Sequence, residues 1–194
     1  MRPWALLLAA ALGVAPLAAE DPPPPELPLL HVHSSQRFSF RTPASWRVAG
    51  STDRPDAIEA SDGGELLVRF LFLDGEQGYD SLHVTCMLER LAPENRQHPR
   101  IEYEYDFLSG SVGPLRILDS AFVVSYDEPI LGHQRWRQRN VTLVGEGLSL
   151  CAISYAPQQV WKKNGEARAL LDAVMTSVEF AGLDMGGEPG GPPQ

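Results

Sequence analysis

The side chains best spaced for chemistry are two acids that alternate along one predicted strand, Glu102 and Glu104. Residues two apart in a strand point to the same face, so these carboxylates project together. Paired carboxylates carry out glycoside hydrolysis, in which one protonates the leaving group and the other acts as base or nucleophile. The pattern therefore admits a polymer hydrolase that uses strand acids such as Glu102 or Asp106.

Three arginines alternate in the same way along a later predicted strand: Arg135, Arg137 and Arg139. Opposite charges on one face of a sheet pair across strands, so we expect the acids and arginines to form a ladder of ion pairs, each contributing about 0.2–1 kcal/mol. The alternative is that Arg135, Arg137 and Arg139 form a recognition patch for an acidic partner or a polysaccharide, with Trp136 on the opposite face.

The histidines offer a metal site as a further hypothesis. His31 and His33 would share a face in an extended chain, but two ligands do not complete a site. The spacing of His83 and His98 does not predict that they converge on the first two. We therefore predict incidental surface histidines, with no metal and no cofactor.

Cys86 and Cys151 are the only cysteines, and an even pair in an oxidising compartment favours a disulfide. Closing a loop of about 65 residues would stabilise the fold by about 4 kcal/mol. Cys86 lies off the apolar stripe of its predicted helix, whereas Cys151 falls in a predicted central strand. The sequence leaves both the bonded and the free state open.

Spacing and charge exclude other sites. Residues 109–113, Ser-Gly-Ser-Val-Gly, lack the flanking glycines of a nucleophilic serine elbow. Residues 145–147, Gly-Glu-Gly, are acidic and run into a strand, unlike a phosphate-binding loop. A formal charge of -9 and a pI near 5.0 argue against nucleic acid as a partner. We predict no catalytic residue.

The elements that must position these side chains are mostly strands. Phe38 and Phe40 alternate with polar residues, and residues 66–73 form an apolar run typical of an interior strand. Three later runs, 115–126, 133–144 and 148–155, predict an antiparallel meander. Helices are predicted after Asp80 and after Asn164, each a good N-cap residue. The order predicts an α/β (α+β) fold in which an antiparallel β-sheet is packed by helices.

The chain ends differ from this domain in composition. Residues 1–19 have a basic start, an apolar run and small residues before Glu20, which is the form of a secretory signal peptide. The run is shorter than the roughly 20 apolar residues of a membrane-spanning helix, so we predict cleavage after Ala19 and no transmembrane span afterwards. We assign 20–36 to a Pro-rich linker, 37–181 to the domain and 182–194 to a disordered Gly/Pro tail.

Two segments resemble the PsbP/DcrB-like superfamily. They are Phe38–Trp46, FSFRTPASW, and Ser154–Pro157, SYAP, which precedes a closing helix and Ser177–Phe180, SVEF. The resemblance spans residues 37 to 180 and rests on structural motifs. It implies an α-β-α sandwich like that of photosystem assembly proteins, bacterial envelope proteins and a nuclear factor that binds a Ran GTPase. It also implies a non-catalytic binding or assembly role.

Together, these features predict an exported, non-catalytic binding or assembly factor of the bacterial cell envelope, located in the periplasm or outside the cell. Its partner is expected to be a protein or another envelope component. The alternative is an envelope-polymer hydrolase that uses strand carboxylates, and a third hypothesis, a structural component of a larger complex, predicts a broad exposed apolar patch.

Overall fold

The computed structural model describes residues 24–51, 56–75, 83, 100–128 and 132–183. The strands in these ranges are β1 Leu29–Val32, β2 Phe38–Thr42, β3 Arg47–Gly50, β4 Ala57–Ser61, β5 Leu67–Asp74, β6 Arg100–Val112, β7 Leu115–Glu128, β8 Gly132–Gly145, β9 Leu148–Pro157 and β10 Glu179–Phe180. The helices are α1 Gln158–Lys163 and α2 Gly165–Thr176. In these ranges, no helix is both long enough and apolar enough to span a bilayer.

The strands form two antiparallel sheets. The larger has the order β3-β4-β5-β9-β8-β7-β6, and the smaller has the order β1-β2-β10. The predicted fold class, antiparallel strands packed by helices, is confirmed. The sequence predicted one sheet, however, and β2 and β10 pair with each other in a separate layer, because the chain after α2 returns to β2 and not to the meander.

The main core lies between the larger sheet and the layer formed by β2 and α2. Phe38 and Phe40 of β2 are fully buried, and the ring of Phe40 lies 4.4 Å from that of Phe70 on β5. Trp46, which follows the turn after β2, is also buried in this core. The helix α2 begins as predicted, because Asn164 Oδ1 accepts a hydrogen bond from the backbone N–H of Ala167 at 3.0 Å.

The apolar run predicted as an interior strand is β5. It pairs with β4 on one side and β9 on the other, and its residues from Val68 to Phe72 are buried. Arg69, which would be costly to bury alone, forms an ion pair with Glu59 on β4.

The structure changes the predicted boundaries. β1 lies inside residues 20–36, which were assigned to the linker, and it pairs with β2 along its whole length. Leu27 and Leu183 pack against the main core, so the folded unit begins before residue 37 and extends past residue 181. The four residues of β1 lie beside a Pro-rich stretch and are too few to show the alternation that indicates a strand. They form a strand because they pair with β2. The predicted helix after Asp80 lies outside the described residues except for His83.

The hairpin of β1 and β2 uses two histidines that were predicted to be incidental. His31 stacks on Phe40 with ring centroids 5.3 Å apart, and His33 stacks on Phe38 at 4.7 Å. Nδ1 of His33 accepts a hydrogen bond from the backbone N–H of Ser35 at 3.2 Å, a role that needs an unprotonated nitrogen. Both rings are half-buried, so the prediction of plain surface residues is wrong for them.

Desolvation lowers the pKa of both His31 and His33 from the ordinary value of 6.5, with Asp74 opposing the effect at His33. The unfolded chain therefore binds more protons than the folded protein just below that value. The stabilising contribution of these rings is present above pH 6.5 and is lost as the pH falls from 6.5 through their lower folded values.

We expect the free energy of unfolding to fall between pH 7.5 and pH 5, and to fall less steeply in the His31→Phe, His33→Phe double variant, whose rings stay uncharged. Urea unfolding at several pH values measures this difference. His133→Gln, a change at an exposed histidine, is the matched control. Identical pH slopes for the wild type and the double variant would contradict the assignment.

Cys151 lies in β9 and is a fully buried, free thiol in the structure. Its Sγ accepts a hydrogen bond from the hydroxyl of Thr142 at 3.5 Å. Cys86, the other member of the candidate disulfide, lies outside the described residues, and the sequence leaves the bonded and the free state open.

Because Cys151 is a free, buried thiol in the structure, we expect protein denatured without reductant to take up two alkyl labels. Intact mass spectrometry counts the labels. The Cys151→Ser variant should take up one label and serves as the control. An unlabelled wild-type protein would instead establish the Cys86–Cys151 disulfide.

Candidate functional site

The arginine stripe of β8, Arg135, Arg137 and Arg139, pairs with acids as the sequence predicted. Arg135 Nη2 lies 2.6 Å from Glu102 Oε2, and Arg137 Nε lies 3.0 Å from Glu104 Oε2. The two sets of charges are not on neighbouring strands, because β7 lies between β6 and β8. The long side chains reach across β7, and the predicted ladder is confirmed with this wider spacing.

Arg139 is held by two acids from different layers. Its Nη2 lies 2.7 Å from Asp119 Oδ2 on β7, and its Nη1 lies 2.7 Å from Asp172 Oδ1 on α2. Asp172 was not predicted to take part. Since each arm of the guanidinium already has a carboxylate, Arg139 attaches α2 to the sheet and is poorly placed to capture an outside partner.

Arg137 is the most buried member of the arginine stripe, with 6% of its side chain exposed. Its guanidinium carbon lies 3.5 Å from the ring centroid of Trp161 on α1, a close cation–π contact. Its Nη1 is buried and has no hydrogen-bond partner among the described residues. A buried guanidinium N–H without an acceptor is costly, so this atom marks a place where a further acceptor would be stabilising.

Arg135 lies at the open end of the stripe. Its side chain is 39% exposed, and that of its partner Glu102 is 60% exposed. Exposed ion pairs are weak because water competes for both charges. Of the three arginines, Arg135 is therefore the one that a partner in solution reaches with least rearrangement.

A cleft of about 410 Å³ opens between the start of β8 and the start of α1. This is a common size for a small-molecule site. Its lining combines a cation, an imidazole, a carboxylate, amides and an apolar floor, and includes Arg135, His133, Glu65, Gln134, Gln158 and Val160. The cleft can therefore bind a small polar ligand through hydrogen bonds and one guanidinium.

The opposite face of the larger sheet carries a buried polar cluster around His83. Nδ1 of His83 is 2.8 Å from Thr142 Oγ1, and Nε2 is 2.7 Å from Ser120 Oγ. His83 is fully buried, so its prediction as an incidental surface histidine is wrong. The signal was present in β7 and β8, because polar residues at buried strand positions, such as Ser120 and Thr142, need hydrogen-bond partners.

The distance between His83 and Ser120 is one that a catalytic base and its nucleophile require. However, Ser120, His83 and Thr142 are all fully buried, so a substrate cannot reach them. The cluster joins the His83 segment to β7 and β8. Asn140 and Thr142 are also the ends of the sequon Asn-Val-Thr, and their burial excludes glycan attachment in the folded protein.

Across the described ranges, no three His, Cys, Asp or Glu side chains are grouped to hold a metal ion. His98 lies outside those ranges. His31 is hydrogen-bonded with Thr42 at 2.9 Å and stacks on Phe40, so its ring already has a role in the small sheet.

No protein-family model matches the sequence, and no curated protein matches it either. Solved structures are similar. The solution structure of cyanobacterial PsbP (CyanoP) from Synechocystis has a TM-score of 0.59 at 8% identity, covering 78% of this chain and 91% of that one. The Saccharomyces cerevisiae Ran-binding protein Mog1p has a TM-score of 0.51 at 9% identity, covering 78% and 94%.

A crystal structure from Bacteroides thetaiotaomicron has a TM-score of 0.49 at 13% identity, covering 78% of this chain and 47% of that one, so this chain spans about half of that protein. Identities this low support the fold alone. The Phe38–Trp46 and Ser154–Pro157 motifs, the antiparallel sheets and the likeness to CyanoP and Mog1p agree: this protein has the PsbP/Mog1/DcrB-like fold.

Proposed function

We propose that the protein is a non-catalytic binding or assembly factor that acts in the bacterial cell envelope after export. The observation that carries the proposal is the pairing of the strand acids. Glu102, Glu104 and Asp119 each lie within 3.0 Å of an arginine. A hydrolytic pair needs two carboxylates that face one bond of the substrate, with one of them protonated. Here the acids face guanidinium groups.

The fold supports the same proposal. Mog1p is a Ran-binding protein, and CyanoP is a cyanobacterial PsbP. Because the fold is shared at very low identity, no partner is transferred to this chain. The likeness supports a binding role for a scaffold of this type.

The export step of the proposal rests on the N-terminal sequence. Residues 1–19 have the charge and apolar pattern of a signal peptide, and the proposed location is the periplasm or the outside of the cell. The proposed partner is a protein or another envelope component. We propose that this partner contacts the cleft beside Arg135, where polar groups and an exposed guanidinium converge.

The only lysines of the chain, Lys162 and Lys163, provide crosslinking sites beside the cleft. Both are exposed at the end of α1, next to the cleft residue Val160. We expect an amine-reactive crosslinker, applied to the intact source cells, to yield a discrete adduct of the tagged protein. The Lys162→Arg, Lys163→Arg variant keeps both charges and should lose that adduct, as pull-down from the envelope fraction followed by mass spectrometry shows.

An adduct that persists in the arginine variant would place the partner elsewhere, and the absence of any adduct specific to the wild type would count against the binding function. The unfolding midpoints of both proteins should be equal, because both lysines are exposed. Equal midpoints would show that loss of the adduct is not caused by unfolding of the variant.

The hydrolase alternative makes the opposite prediction. Because the carboxylate of Glu102 is paired with Arg135, we expect purified protein to release no soluble fragments from isolated envelope polymer, and the Glu102→Gln and Asp106→Asn variants to give the same background. Chromatography of the supernatant measures release. If the wild type releases fragments and one of these variants does not, the protein is an enzyme and the binding proposal is refuted.

A further inference from the structure

We infer that the cleft between β8 and α1 binds the carboxylate group of a small polar ligand, with Arg135 as its first contact. The inference rests on the proposed binding function and names the class of ligand. It uses three features of the described residues: the size and lining of the cleft, the exposed ion pair at its rim, and the charges around it.

The cleft has a volume of about 410 Å³, toward the small end of the range for small-molecule sites. The amides of Gln134 and Gln158 offer both donors and acceptors, and Pro157 and Val160 supply apolar surface. This mixture suits a compact ligand that carries several polar groups, such as a short peptide or a sugar acid.

Glu102 occupies the position that a ligand carboxylate would take. Its Oε2 lies 2.6 Å from Arg135 Nη2, and both side chains are in contact with water. An exposed pair of this kind is held only weakly. A ligand that brings its own carboxylate, together with further contacts in the cleft, can therefore displace Glu102 without leaving a charge buried.

The surrounding charge selects a carboxylate over a phosphate. Glu65 lines the cleft, Glu102 and Glu104 lie beside arginines of β8, and Asp127 binds His133 at its edge. A doubly charged phosphate would be repelled by these acids more strongly than a singly charged carboxylate. The planar fork of a guanidinium also matches a carboxylate in two parallel hydrogen bonds.

Calorimetric titration of the purified protein tests the inference with digalacturonate and with the dipeptide Ala-Ala, compared with the amide of the same dipeptide. We expect saturable binding of at least one acid and no binding of the amide. Binding of digalacturonate would identify a sugar acid as the class of ligand, and binding of Ala-Ala would identify a peptide. Loss of a charge-assisted contact in Arg135→Gln should weaken binding at least about tenfold.

Glu102→Gln should strengthen binding several-fold, because it removes the competing carboxylate from Arg135. This gain is not expected of a purely structural ion pair. Arg47→Gln, at an exposed arginine on β3, is the matched control and should leave the affinity unchanged.

Equal affinity for the acid and the amide, unchanged affinity in Arg135→Gln, or no gain in Glu102→Gln would each overturn the inference, as would the absence of binding by both acids. A crosslinked adduct that survives in Arg135→Gln while the titrations fail would leave the binding function standing and remove only the carboxylate site.

Discussion

Strand β8 carries charged and polar side chains at buried positions, and these groups must be satisfied inside the protein. On one face, Arg137 and Arg139 receive carboxylates from β6, β7 and α2. On the other face, Gln138 donates a hydrogen bond to Asn140 at 2.8 Å, and Thr142 is hydrogen-bonded with His83. This requirement determines which elements can lie on either side of the larger sheet.

The same requirement separates the structural from the available arginines. Arg139 is attached to α2, Arg137 is enclosed by Glu104 and Trp161, and only Arg135, at the open end, keeps a weak partner. The arginine that is accessible to a partner therefore lies at the end of the stripe where other elements no longer cover the sheet. A shift of β8 by one residue would move every one of these side chains to the opposite face, so the site depends on the pairing register of the meander.

The fold itself explains little of this chemistry. CyanoP and Mog1p share the architecture with this protein at 8% and 9% identity, so what they have in common is the arrangement of layers. The cleft, the stacked guanidinium and the ion pairs across β7 have to be argued from the contacts of this chain. The buried Ser120–His83 pair fits a structural role.

Periodicity in the sequence determined which residues share a face. It predicted the meander, the interior strand β5 and the cap at Asn164 from near neighbours in the chain. It predicted the ladder because two alternating stripes of opposite charge on one sheet attract each other. The tertiary structure alone decided that β2 and β10 form a separate sheet with β1, that Asp172 holds Arg139, and that His83 is buried between Ser120 and Thr142. Local pattern cannot specify which distant segment covers a given face, since that choice follows from packing the whole chain into one core.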